Sequence, residues 1–247
     1  MDLRALLFDV NGTLIDIETD EGMEEVYRAI GHFLIYQGIK LHRWEVRELY
    51  FQAVKEQFDT SHETYPEFDV VAVWQKILER RAGDYTRLLP DEKRKQLPLF
   101  LAEMQRGICR KRLRLFPQVQ DVLGQLKDHY ALAVVSDAQS AYAIPELRMV
   151  GLQGYFDPII ISGSYGFRKP DARLFRTALE QLQVSPDQAV FIGNDRYRDV
   201  FGAQQVEMRT ILVNRGQSKG RSGDAEPDCI IHEFAELPQA LDRFAVL

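Results

Sequence analysis

A chain of 247 residues with 45% hydrophobic and 28% charged residues has the profile of a globular protein, with material for one or two domains. Its net charge of −6 argues against a nucleic-acid surface, because phosphate-backbone affinity comes from clustered Lys and Arg. No apolar run approaches the ~18 residues needed to span a bilayer, and the first one is broken by Asp9 without a cleavage region, so no membrane span and no secretory signal are expected. Cys109 and Cys229 lie far apart and form no metal or redox motif, so they read as reduced thiols of a cytoplasmic protein. His32, His42, His62, His129 and His232 show no ligand spacing.

In chain order, the first element is Ala5-Leu6-Leu7-Phe8, an apolar run of the length of a buried strand. Asp9 ends it, and Asn11 and Gly12 then suit a tight turn whose missing side chain lets a ligand approach the backbone. From Glu21 to about Arg114 the pattern becomes helical. Val26, Ile30, Phe33 and Leu34 form one apolar face; Val46, Leu49, Tyr50 and Val54 a second; Val70, Val73, Trp74, Ile77 and Leu78 a third. Breaks fall near Gly38, Tyr65-Pro66 and Leu89-Pro90, and a fourth helix is expected from Asp91 towards Arg114, with a bend at Pro98. No strand-like alternation stands out here, and the basic cluster Arg110-Lys111-Arg112 with Arg114 reads as a solvated helix end.

Past Phe116-Pro117 short apolar runs alternate with amphipathic helices. Strands are expected at Ala131–Val135, Pro158–Ser162, Ala189–Ile192, Thr210–Val213 and near Cys229-Ile230-Ile231. The helices between them are Gln118–Lys127, Ala141–Met149, Asp171–Leu182 and Tyr197–Val206, with a last one at Glu233–Phe244. Single helices between strands imply right-handed crossovers and a parallel sheet covered on both faces. Gly216–Pro227 reads as a mobile surface loop. The expected architecture is therefore α/β, a Rossmann-like parallel sheet core formed by residues 1–16 and 115–247, with an all-helical cap inserted at residues 17–114. An insertion beside the end of the first strand is well placed to cover a substrate.

Four strand ends carry chemistry-bearing residues: Asp9; Ser136-Asp137; Arg168-Lys169-Pro170-Asp171; and Gly193-Asn194-Asp195 with Asp199 beyond. Each has a bland explanation alone, as a cap, a solvated cation or a turn residue. Together, at the ends of one sheet, they point to a site.

In this order the motifs resemble the haloacid dehalogenase-like (HAD) hydrolase superfamily over the whole chain. The first motif is similar to Asp9-Val10-Asn11-Gly12-Thr13, the second to Ser136, and the third to Lys169 within Lys169-Pro170-Asp171-Ala172-Arg173-Leu174-Phe175. The fourth is similar to Gly193-Asn194-Asp195 followed by Asp199-Val200 and Gly202-Ala203. The resemblance implies that Asp9 is a nucleophile forming an aspartyl-phosphate, splitting one hard substitution into two easier ones. It implies Mg²⁺ held by Asp9, the main-chain carbonyl of Asn11 and an acidic residue of the fourth motif, with oxygen ligands suited to a hard cation. Thr13, Ser136, Asp137 and Lys169 would meet the substrate, with Ser136 and Lys169 on its phosphoryl oxygens.

Two departures from the phosphatase pattern stand out. Where phosphatases of the family carry the acid–base Asp, this chain has Asn11, and losing such help typically costs ~10²–10⁴ in rate. In the fourth motif the metal ligand could be Asp195 or Asn194; the charged Asp195 is favoured, with Asp199 either orienting the inner shell or capping the helix that follows. The leading expectation is a metal-dependent phosphatase of a small phosphorylated metabolite, acting as a monomer or homodimer. A 2-haloacid dehalogenase needs no proton for its leaving group and so tolerates Asn11, although the acidic pair Asp195 and Asp199 argues against it. A phospho-ligand-binding protein without turnover is the third reading. Glu21-Gly22-Met23, Tyr27, Phe33, Tyr36 and Trp44 are candidates for substrate contact from the cap, although their spacing also fits a helical core.

Overall fold

A computed structural model describes residues 2–216 and 225–245. The first strand, β1 (Ala5–Phe8), leads through the Asn11-Gly12 turn into β2 (Ile15–Thr19). The helical block follows: α1 (Glu24–Tyr36), α2 (Arg43–Thr60), α3 (Val70–Arg81), the short α4 (Asp84–Arg87) and α5 (Asp91–Cys109). The chain returns through β3 (Arg110–Leu115), α6 (Val119–Leu126), β4 (Ala131–Ser136), α7 (Ser140–Met149), β5 (Ile159–Ile161) and α8 (Ala172–Leu182). It ends with β6 (Ala189–Gly193), a π-helical turn at Arg196–Phe201 running into α9 (Gly202–Gln204), then β7 (Arg209–Val213), β8 (Cys229–Ile231) and α10 (Leu237–Ala245).

Six strands form one sheet in the order β5-β4-β1-β6-β7-β8, every neighbouring pair parallel. The alternation of β1 shows why both faces are covered. Leu6 and Phe8 pack with Val119, Leu123 and Phe244 on one side, while Ala5 and Leu7 pack with Leu174, Phe175 and Ala178 on the other. Strand order places β1 at the centre, so Asp9, one step beyond it, lies between the ends of β4 and β6.

The helical block has an apolar interior of its own, built from Val26, Tyr27, Ile30, Tyr50, Val73, Trp74 and Leu101. Tyr142 of α7 is buried in that same cluster, and the bidentate contact of Arg106 with Glu146, at 2.8 and 3.2 Å, ties α5 to α7 beside it. Asp69 starts α3 by accepting hydrogen bonds from the Val71 and Ala72 amides, as an N-cap should.

Two expectations need correction. The helix begun at Asp91 runs on through Pro98 but stops at Cys109, and the basic cluster beyond it is a strand. This strand, β3, pairs antiparallel with β2, so that Asp16 faces Arg114 and Glu18 faces Arg112. Arg112 and Arg114 both donate to Asp16, Arg112 also to Glu18, and Lys111 to Asp20. Opposite charges pair on one face of the ribbon, while Ile15 with Leu115 and Ile17 with Leu113 pair on the other and pack on the sheet's core. The helix expected at Tyr197–Val206 is divided between the π-helical turn and α9. Most of the Gly216–Pro227 loop lies outside the described residues.

Candidate active site

The Asp9 amide donates to Ile192 O at 2.9 Å, which extends β1 by one residue and fixes the side chain at the sheet's edge. Gly12 then turns with φ +86°, and a Cβ there would meet the Asn194 side-chain nitrogen at 2.3 Å. Only glycine satisfies both the backbone angle and this approach. Arg215 holds the turn from behind, its Nη1 donating to the carbonyls of Gly12 and Thr13 at 2.8 and 3.0 Å.

Lys169 is the hub. Its side chain is 2% exposed, and Nζ lies 2.8 Å from Asp9 Oδ1 and 2.6 Å from Asp199 Oδ1. Burial alone would push the Lys169 ammonium down, but the carboxylates of Asp199, Asp9 and Asp137 outweigh it and hold the ammonium above its ordinary value. Burial pushes the Asp199 carboxyl up to about 6 against the pull of Lys169. The other Asp199 oxygen accepts from the Asn194 and Asp195 amides, both at 2.9 Å, so Asp199 orders the loop after β6 as well as Lys169. Thr13 Oγ1 lies 3.1 Å from Asp9 Oδ2 and 3.2 Å from Asn194 Oδ1. Ser136 Oγ lies 3.5 Å from Asp9 Oδ1, at the edge of hydrogen-bond reach.

The structure separates the two candidates of the fourth motif. Asp195 caps the π-helical turn: Oδ1 accepts from the Tyr197 and Arg198 amides, and Oδ2 takes the Arg198 guanidinium at 3.0 Å. Although burial opposes it, these partners hold its carboxyl below the usual range. Both oxygens are thus turned to the helix end and to Arg198. Asn194, not Asp195, is the residue linked to Asp9 through Thr13. Charge favours Asp195 in the sequence, but the amides opening the next turn and the Arg198 guanidinium occupy its carboxylate.

Asp137 sits beside the hub. Its Oδ1 accepts from the Lys169 amide at 2.9 Å, and its buried Oδ2 has no hydrogen-bond partner among the described residues, with Arg198 Nη1 3.8 Å away. Burial pushes its carboxyl up, against Lys169 and Arg198. Asn11 lies in the turn, bridged through its backbone to Ile15, and its side chain makes no hydrogen bond among the described residues. Of the helical-block candidates, Tyr27 is buried against Tyr50 and donates its hydroxyl to Glu21 O, and Phe33 packs at a tilt against Phe100. Tyr36 and Trp44 are exposed. Arg198 and Arg215 were not singled out in the sequence; the only signal for Arg198 was its place three residues after Asp195.

The donor set can be tested for Mg²⁺. Asp9, the Asn11 carbonyl and Asn194 Oδ1 are all oxygens, the right kind for a hard cation. Only one is charged, and among the described residues no group of three His, Cys, Asp or Glu side chains could hold a metal ion. These oxygens suit a loosely held Mg²⁺ ion, not a tightly caged one. No helix among the described residues is long and apolar enough to cross a membrane.

A family model described as haloacid dehalogenase-like hydrolase matches residues 6–213. The chain is 27% identical to a glyceraldehyde 3-phosphate phosphatase of Methanopyrus kandleri, over 98% of this chain and 99% of that protein. It is 30% identical to a phosphoserine phosphatase of Thermus thermophilus over 67% of this chain, a match that spans only 62% of the relative. Among solved structures, a 2-haloacid dehalogenase from Pseudomonas syringae pv. Tomato DC3000 superposes with a TM-score of 0.67 at 25% identity, covering 98% of this chain and 99% of that one.

Proposed function

This chain belongs to the haloacid dehalogenase-like hydrolase family, and from that premise we propose that it is a phosphatase of a small phosphorylated metabolite, with Asp9 as its nucleophile. The observation that carries this reading is the convergence of Lys169, Ser136 and Thr13 on the Asp9 carboxylate at the end of the central strand. Phosphatase-named relatives over nearly the full chain support it.

In this reading a carboxylate oxygen of Asp9 attacks phosphorus, an O–P bond forms, and the bond to the leaving oxygen breaks with its electron pair on that oxygen. Lys169 and Ser136 hold phosphoryl oxygens as charge shifts, and the ion pair to Asp199 keeps Lys169 aimed. Asp199 thereby positions Lys169 and the loop after β6. Water then cleaves the acyl-phosphate and restores Asp9. Asn11 cannot protonate the leaving group, so substrates whose leaving group needs no proton should be favoured. Asp9, the Asn11 carbonyl and Asn194 would hold Mg²⁺, which when bound neutralises phosphoryl charge. The helical block, pinned to α7 by Arg106 and Glu146, would serve as the cap over this site.

A second reading, carbon–halogen hydrolysis, is favoured by two observations. Both Asp195 oxygens are engaged by the Tyr197 and Arg198 amides and the Arg198 guanidinium, which leaves Asp9 as the one carboxylate among the candidate metal donors. The Pseudomonas dehalogenase aligns over 98% of the chain. Hydrolysis of p-nitrophenyl phosphate and of 2-chloropropionate, each with Mg²⁺ or chelator, decides between them. The phosphatase reading expects Mg²⁺-dependent phosphate release that falls by at least about 10³-fold in Asp9→Asn. Metal-independent halide release without phosphate release would establish the second reading instead.

A further inference from the structure

The helical block also meets the sheet-end loops away from the β2–β3 ribbon. Between α2 and α3, residues 65–70 cross the loops that follow β4 and β5. Tyr65 O accepts from the Arg168 amide, the Glu67 amide donates to Gly166 O, both at 2.9 Å, and Pro66 bridges antiparallel to Phe167. Gln139 continues the pairing with its side chain, accepting from the Val70 amide at 2.8 Å and donating to Phe68 O at 2.6 Å.

At the centre of this seam is Glu67. Its carboxylate accepts from Ser162 Oγ at 3.0 Å, and the same hydroxyl oxygen accepts from the Ala138 amide at 3.0 Å. The two loops thus joined are the ones that carry Ser136-Asp137 and Lys169. They are packed without slack: the Gly163 amide donates to Ala138 O at 2.9 Å, and a Cβ at Gly163 would lie 2.8 Å from that oxygen. The Lys169 amide, in turn, is held by Asp137 Oδ1.

We propose that Glu67 is a positioning residue: by binding Ser162 it locks the loop after β5 onto the loop after β4, and so keeps the Lys169 ammonium on Asp9. A residue of the inserted block thereby sets the geometry of the sheet-end site, beyond any part in covering it. The activity arm of the test rests on the phosphatase reading; a second arm does not. Glu67→Gln retains an oxygen acceptor for Ser162, whereas Glu67→Ala removes it.

The measurements are hydrogen exchange at the Arg168 and Lys169 amides, and kcat and KM for p-nitrophenyl phosphate, alongside the melting temperature. In Glu67→Ala exchange at both amides is expected to speed up and kcat/KM to fall, each by about tenfold, the size of one hydrogen bond to a charged group. Glu67→Gln should restore both to near the wild-type values. Ser162→Ala, which also removes the acceptor of the Ala138 amide, should do at least the damage of Glu67→Ala, and it substitutes for that variant if the latter fails to fold. Unchanged exchange in Glu67→Ala, or equal damage in Glu67→Gln, would overturn the proposal. A wild type that releases no phosphate would sink the phosphatase reading alone, since the exchange measurement still decides the positioning role.

Discussion

At the carboxyl ends of β1, β5 and β6 the buried side chains are charged: Asp9, Lys169, Asp195 and Asp199 are each no more than 6% exposed. In the helical block the equally buried side chains are Val26, Tyr27, Ile30 and Trp74, each at 1% or less. The second interior follows from apolar area removed from water and stabilises the fold directly. The first does not, because burying ions costs desolvation, and a well-packed apolar replacement of a buried ion network is often neutral or stabilising. A Lys held between two carboxylates is therefore best understood by what it does for Asp9. On the proposed function, the contrast gives stability to the block and chemistry to the strand ends.

Substitutions can break that division. Lys169→Met would leave Asp9 and Asp199 buried without their cation. It is expected to abolish turnover and to cost about 3–5 kcal/mol, read by denaturant unfolding and phosphate release. Trp74→Ala removes the largest side chain of the block interior and its hydrogen bond to Gln105. A loss of about 3–5 kcal/mol is expected here too, but with the turnover of the folded fraction intact. A Trp74→Ala enzyme that stays stable yet loses turnover would erase the distinction.

A smaller effect sharpens the comparison. Burial pushes the Asp137 carboxyl up, so the folded chain holds that proton more readily than the unfolded chain does. The ionised form therefore costs stability at neutral pH, and the cost disappears as pH falls through the ordinary carboxylate range. Asp137→Asn keeps an acceptor for the Lys169 amide and removes the charge. It should melt slightly above wild type at pH 7 and converge with it near pH 4, in melting curves across that range.

Much of this was legible in the sequence. The six sheet strands fall on short apolar runs, four of them ending in Asp9, Ser136, Ser162 and Gly193, because both faces of a parallel sheet are covered and its strands are nearly continuous in hydrophobicity. The site motifs were legible for a related reason, since each sits at a strand end that the pattern already marks. The β2–β3 ribbon was hidden because the partners that set its register, Asp16 with Arg114 and Ile17 with Leu113, lie a whole helical block apart. The direction of Asp195 was hidden as well: residue type favours it as a ligand, while the backbone amides of Tyr197 and Arg198 decide where it points. Glu67 read only as part of a break near Tyr65-Pro66, because no local pattern announces a partner such as Ser162.

The central claim is that the strand ends form a phosphoryl-transfer site complete except for its acid. The most direct measurement compares acetyl phosphate with glycerol 2-phosphate in wild type and Asn11→Asp. Acetyl phosphate carries a leaving group that needs no proton, so wild type should hydrolyse it and leave the alkyl ester nearly untouched. Asn11→Asp should raise the alkyl-ester rate by about 10²–10⁴, the usual worth of general acid–base help. Equal rates on both substrates in wild type, or no gain in Asn11→Asp, would contradict the account.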